Sequence, residues 1–262
     1  FDKTHYFNAE FVVLNVIRRQ DPELLNFLLS QGYDINSRFY EFFVDCNLLY
    51  AAINFQADSM IQPLLDAGID VEAKAGTESM VAAAIKGGSL NTLQMILNHK
   101  PSLSLDNIDT SLGMESRNAL IYALYYRRES VAKYLLDFNI DVNKIDDLGR
   151  TALHYAAEHG FNEVIESLIA KGAVAKVYDT SKESPLNRAL FYMQEDSALT
   201  LLALGRFNEG DINRQTKGGV TLLHLAAEKD LAKVVDALIR QGADASILNA
   251  EMLTAADVAF IN

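Results

Sequence analysis

Thr151-Ala152-Leu153-His154-Tyr155-Ala156-Ala157 returns seventy residues later as Thr221-Leu222-Leu223-His224-Leu225-Ala226-Ala227, and diluted copies of the same word run along the rest of the chain. With the first Ala of the Ala-Ala pair as an anchor, small or apolar residues recur at Val16, Ala52, Ala84, Ala123, Ala156, Ala189, Ala226 and Ala259, at intervals of 32 to 39 residues. A second column tests this register. Sixteen residues after the anchors stand Gly32, Gly68, Lys100, Asn139, Gly172, Gly205 and Gly242, mostly residues that accept a left-handed helix cap. Twelve and thirteen residues after the anchors every position is apolar, from Leu28-Leu29 to Leu238-Ile239, which chance would rarely produce in a chain that is half hydrophobic.

A period near 33 with Thr-x-Leu-His-x-Ala-Ala, then Gly, then Asp-x-Asn as in Asp34-Ile35-Asn36, Asp141-Val142-Asn143 and Asp211-Ile212-Asn213, resembles the ankyrin repeat family. The resemblance is strong from about residue 118 onward and diluted before it, where no His occupies the Thr-x-Leu-His slot. It implies an all-α solenoid of stacked antiparallel helix pairs with hairpin-like connecting loops, forming one domain over residues 1–262 with a truncated last repeat near 259. Phe1 and an unfinished last repeat at Asn262 suggest a piece excised from a longer chain. Asp21-Pro22-Glu23 reads as the start of a second helix, and Pro63 falls inside one, where a local kink is expected. Long intervals come from insertions of three, six and four residues at 36–47, 104–118 and 205–213, all in loops.

The net charge of −12 opposes nucleic-acid phosphates and anionic membrane surfaces, so neither nucleic acid nor membrane insertion is expected. No apolar run approaches the roughly 20 residues that span a bilayer. The lone Cys46 excludes an internal disulfide framework and points to a reducing, intracellular compartment, with the thiol read as inert. His154-x3-Glu158 and His224-x3-Glu228 place potential metal ligands four apart. Both His residues fill one repeat slot, however, and the resemblance implies a structural imidazole bonded to the neighbouring turn, so metal and cofactor are expected to be absent. Phosphate-binding loops, nucleophile elbows and zinc motifs are missing, and no enzyme activity is expected.

Helical geometry places the anchor, the residue three before it and the residue after it on one side of the first helix. Residues one before, two after and three after the anchor fall opposite, on what the resemblance makes the concave, partner-facing side. In three consecutive repeats that side carries Tyr122, Tyr125, Tyr126, Tyr155, His159, Arg188, Phe191 and Tyr192, residue types that anchor interfaces. Arg127 and Arg128 lie alongside and Arg150 precedes the Thr slot, so a locally basic patch suited to an acidic or phosphorylated peptide is expected. A secondary partner-binding loop is formed by Phe39, Tyr40, Phe42 and Phe43. The reading is a monomeric, non-catalytic protein-interaction module that binds a protein or peptide on its concave face and loop tips. Two alternatives stand beside it. One makes the chain the substrate-recognition part of a larger enzyme or bacterial effector whose catalytic domain lies outside residues 1–262; the other makes it a spacer or self-assembling scaffold.

Overall fold

The computed structural model describes residues 3–41, 44–87, 89–109 and 116–261. It divides into two compact units, Phe1–Val131 and Ala132–Asn262. The first contains α1 (Lys3–Arg19), α2 (Pro22–Ser30), α3 (Leu48–Asn54), α4 (Asp58–Asp66), α5 (Met80–Gly87), α6 (Leu90–His99) and α7 (Ala119–Tyr125), and α8 (Glu129–Leu135) begins in it. The second contains α9 (Ala152–His159), α10 (Asn162–Ala170), α11 (Pro185–Phe191), α12 (Glu195–Leu204), the short α13 (Glu209–Ile212), α14 (Leu222–Glu228), α15 (Ala232–Arg240) and α16 (Ala255–Ile261). Helices pair and stack as the repeat register requires. First helices contact the first helices of adjacent repeats, α1 with α3, α3 with α5 and α5 with α7, then α9 with α11, α11 with α14 and α14 with α16. Second helices form their own rows, α2 with α4 and α4 with α6, then α10 with α12 and α12 with α15.

Five of the first helices start because a short polar side chain five residues before the anchor caps them. Asn47, Ser79, Asn118, Ser184 and Thr221 accept from the backbone NH three residues on, satisfying a donor that the helix cannot. This explains how the early repeats form without the Thr-x-x-His word: Asn47 and Asn118 supply the same cap. Asp21 caps α2 through the Leu24 NH, with Pro22 and Glu23 in the first turn. Pro63 lies inside α4, which runs on to Asp66, and the carbonyl deprived of its donor belongs to the exposed residue Ser59.

The apolar columns form the core. Leu64-Leu65, Ile96-Leu97, Leu135-Leu136 and Leu201-Leu202 are buried, while Leu28 and Leu29 are only half-covered. Gly172 and Gly242 close α10 and α15 at φ +89°, a conformation other residues rarely adopt. Gly205 departs from that column with φ −77°, because the chain runs there into the insertion that carries α13. A Cβ at Gly205 would meet the Leu201 carbonyl oxygen at 2.6 Å, so that glycine is required by space. Asn139 is likewise absent from the left-handed residues.

The first insertion forms the two-stranded part of an otherwise helical fold. Antiparallel β1 (Phe39–Glu41) and β2 (Val44–Cys46) pair Phe39 with Cys46 and Tyr40 with Asp45. Alternation along a strand turns Phe39 inward and Tyr40 outward: Phe39 is buried against the core and Tyr40 is 71% exposed. Phe39 is therefore corrected from a partner-facing residue to a core one, and Phe42 and Phe43 lie outside the described residues. No helix among the described residues is long and apolar enough to cross a membrane.

Candidate partner-binding surface

In the second unit the Thr-x-x-His word acts as a clamp. The Thr151 NH donates to His154 Nδ1 at 3.0 Å, and His154 Nε2 lies 3.2 Å from the Glu183 carbonyl oxygen in the next repeat. An accepting Nδ1 places the proton on Nε2, which donates to that carbonyl. Burial, the dominant cause, holds the imidazole pKa down to about 4. His224 repeats the geometry, with Nδ1 3.3 Å from the Thr221 NH and Nε2 3.0 Å from the Leu253 carbonyl oxygen. Asn187 replaces the His in the repeat between them and accepts from the Ser184 NH at 3.0 Å.

Two of the six aromatic candidates are corrected to structural residues. Tyr122 and Tyr155, each one residue before its anchor, are buried. Side chains on a helix lean toward its N-terminus, and this tilt carries both rings under the preceding loop. The Tyr155 hydroxyl donates to Asp146 at 2.6 Å. That of Tyr122 lies 3.1 Å from Asp109 and 3.2 Å from Glu78, which also accepts from Tyr50 at 2.8 Å. Burial, followed by the Glu78 charge, raises the Tyr122 and Tyr50 pKa values well above the ordinary phenol range. The sequence signal for this role was an Asp nine residues before Tyr155 in the loop.

The cations also have internal duties. Arg188 is a buried residue whose guanidinium bonds Glu158 at 2.5 Å and Glu183 at 3.1 Å, and its carbon centre lies 5.1 Å from the Tyr192 ring centroid. Arg150 pairs with buried Asp179 at 3.3 Å and approaches the Tyr155 ring at 5.9 Å. Arg150 and Arg188 are thus corrected from ligand-seeking cations to internally neutralised ones, while Arg127 of the expected basic patch is exposed. In the first unit Arg128 donates to the Lys86 carbonyl at 2.6 Å, and Arg117, itself buried, lies 4.0 Å from the Tyr125 ring centroid.

The remaining aromatic residues fall in two places, each within one unit. On α7 and its cap, Tyr125 is exposed and Tyr126 half-buried, with ring centroids 5.1 Å apart edge to face. On α11 and its turn, Phe191 is 53% exposed and Tyr192 is exposed beside it, centroids 5.2 Å apart. Lys229 Nζ sits 5.5 Å from the Phe191 ring. His159 is half-buried against Phe161, at 5.6 Å between centroids.

Sequence reasoning missed Met193. It is 60% exposed and has φ +57°. Four residues after six of the anchors the chain turns through the left-handed region, at Gln20, Gln56, Arg127, Gly160, Met193 and Asp230. All of these except Met193 are polar or Gly. The signal was present as an apolar residue in a polar column. Phe191-Tyr192-Met193 thus replaces the Glu158-His159-Gly160 and Glu228-Lys229-Asp230 of the flanking repeats with three consecutive exposed apolar side chains.

The family is settled by comparison with known proteins. A model described as ankyrin repeats (3 copies) matches residues 48–146, 79–180 and 138–216, and one described as ankyrin repeats (many copies) matches 206–259. The chain belongs to the ankyrin repeat family, whose general role is to bind other proteins. Among curated relatives, the B-cell lymphoma 3 protein homolog of Mus musculus is 30% identical over 144 residues, 53% of this chain and 31% of the relative. Synphilin-1 of Mus musculus is 25% identical over 199 residues, 72% of this chain and 19% of the relative. A probable E3 ubiquitin-protein ligase of Oryza sativa subsp. japonica is 28% identical over 177 residues, 65% of this chain and 33% of the relative. The chain spans about a third or less of the length of these relatives.

Proposed function

We propose that this chain is a non-catalytic interaction module that binds, as a monomer, an apolar segment of a protein or peptide. Its principal contact is Phe191-Tyr192-Met193, and Tyr125 with Tyr126 provides a contact in the first unit. Met193 carries this reading. A non-glycine residue in the left-handed region costs about 1 kcal/mol, and a largely exposed thioether there returns little packing to the fold. An adaptable apolar side chain beside two edge-to-face rings is the composition of an interface anchor. The acidic or phosphorylated ligand then rests on Arg127 and Arg128, because Arg150 is paired with Asp179 and Arg188 with Glu158 and Glu183.

Met193→Gly separates binding from folding. Removing the strain raises stability by about 0.5–1 kcal/mol, while partner capture from a lysate falls together with that of Phe191→Ala. A Met193→Gly chain that captures the same partner as well as the parent refutes the site. A second reading, substrate selection within a larger enzyme, is supported by the likeness to the rice ligase. A ubiquitination assay of the complete natural protein on the captured partner tests it.

A further inference from the structure

Three residues after the first seven anchors stand Arg19, Phe55, Gly87, Tyr126, His159, Tyr192 and Lys229. Six of these are bulky, and Gly87 is the exception. A glycine at a helix end usually answers a left-handed backbone or a lack of space. Neither holds for Gly87, the last residue of α5: it is not among the positive-φ glycines, and an added Cβ would lie 3.6 Å from Ile53 Cγ2, an ordinary contact. The helix is thus weakened relative to alanine with no turn gained. What Gly87 provides is a notch between the neighbouring turns that carry Phe55 and Tyr126. The notch opens on a hollow of about 240 Å³ within the first unit. That is below the roughly 300–1,000 Å³ of small-molecule sites, and suits one side chain of a partner.

Charge selects the occupant. Glu78, Lys86 and Arg128 all line the hollow. Glu78 is answered within the fold: Lys86 Nζ lies 3.3 Å from its Oε1, and the Tyr50 hydroxyl donates to its Oε2 at 2.8 Å. Asp58, in an adjoining hollow that shares Gly87, already accepts from Ser89 and Thr92. Arg128 has no such answer. Its Nη2 donates to the Lys86 carbonyl oxygen, its Nε is buried without an acceptor, and no carboxylate among the described residues pairs with it. A half-buried cation without a counter-charge is costly, and the planar end of a guanidinium matches a carboxylate. We propose that the notch at Gly87 is a carboxylate pocket in which Arg128, with the Gln56 amide at the wall, receives an acidic side chain of the protein partner. This rests on the reading of the chain as a module that binds a protein segment, and it adds one acidic requirement beside the Tyr125-Tyr126 contact.

The probe is N-acetyl-L-glutamic acid α-amide, titrated into the isotope-labelled whole chain at neutral pH and constant ionic strength and followed by NMR. Its neutral isostere, N-acetyl-L-glutamine α-amide, and inorganic phosphate are titrated in parallel. Saturable shifts of the Gly87 amide and the Arg128 Nε–H should follow the acid, with the isostere binding about tenfold more weakly or worse. Arg128→Gln should abolish them. Gly87→Phe restores the usual bulk of the column and should abolish them too, with melting unchanged or raised; should that variant fail to fold, Arg128→Gln and the isostere still decide. Absence of saturation, or shifts that the isostere or the Arg128→Gln chain reproduces, overturns the proposal. Phosphate binding more tightly than the acid overturns the carboxylate assignment. Lysate capture is scored separately: a chain that captures its partner but ignores the acid loses this pocket and remains an interaction module.

Discussion

Lowering the pH from 7.5 to 4.5 should destabilise this chain through His154, by an amount the clamp geometry allows to be worked out. Thr151 NH holds Nδ1 as an acceptor and the Glu183 carbonyl takes the Nε2 proton, so a second ring proton would point at a backbone NH. Burial reinforces this and depresses the pKa from 6.5 to about 4. The unfolded chain therefore binds a proton as pH falls through 6.5, and the folded chain does so only near 4. Stability from this residue is complete above 6.5, is lost between 6.5 and 4, and changes no further below. At about 1.4 kcal/mol per pH unit the full loss is about 3 kcal/mol, of which about 2.5 kcal/mol has gone by pH 4.5. His154→Asn isolates it, because Asn187 shows that an amide oxygen accepts from the same cap NH. At pH 7.5 the variant lacks the bond to Glu183 and is less stable by about 1–3 kcal/mol. Carboxylates titrate alike in both proteins, so urea unfolding at pH 7.5, 6.0 and 4.5 should show the gap close or reverse by pH 4.5. A gap that stays constant to within about 1 kcal/mol, well under the expected change, refutes the neutral-imidazole clamp.

Arg188→Ala leaves Glu158 and Glu183 without the guanidinium that joins them, and should cost about 3 kcal/mol in urea unfolding; Arg188→Lys should recover only part, since one ammonium cannot reproduce the planar fork. Tyr155→Phe removes the 2.6 Å bond to Asp146 and should cost about 1–2 kcal/mol, with faster hydrogen exchange at the Leu148 and Arg150 amides that Asp146 also accepts from. Cys46 is buried, and that burial pushes its thiol up to about 11. At pH 8 a thiol-specific disulfide reagent should leave the folded protein unmodified and react fully once urea unfolds it; rapid labelling without urea would contradict the buried assignment.

Most of the fold was legible because stacking repeats impose the same demands many times over. The anchors, the apolar pairs and the helix starts at Asp21 and Thr151 are set by packing and capping that each repeat must satisfy. Gly205 and Asn139 were misread because a column identifies a residue type, and backbone conformation depends on where the chain goes next; the insertion after Gly205 redirects it. The site was less legible. A helical wheel placed Tyr122 and Tyr155 on the outer side correctly by angle, yet long side chains reach along the helix axis as well as away from it. Both therefore end at loop carboxylates. Arg150 and Arg188 were misjudged for a related reason: their carboxylate partners lie in other loops and helices, at separations of 29 and 30 residues, which a reading of neighbours in sequence does not bring together.

That repeat-length separation shows how neighbouring repeats in the second unit are joined. Arg150 reaches Asp179 and Arg188 reaches Glu158 across one repeat, and His154 crosses the same distance to Glu183. Conspicuous polar residues near the concave side are thus spent on fastening one repeat to the next, and a surface made from them has little left to offer a ligand. What is left is apolar. Phe191 stands in the column from which Glu158 holds Arg188 one repeat earlier, but as an exposed ring, and Met193 accepts backbone strain beside it. Specificity in this unit should accordingly follow the shape and apolar content of the partner more than its charge. Raising the salt concentration, which screens exposed ion pairs, should leave capture by Phe191-Tyr192-Met193 nearly unchanged, whereas a surface working through Arg150 and Arg188 would release its ligand.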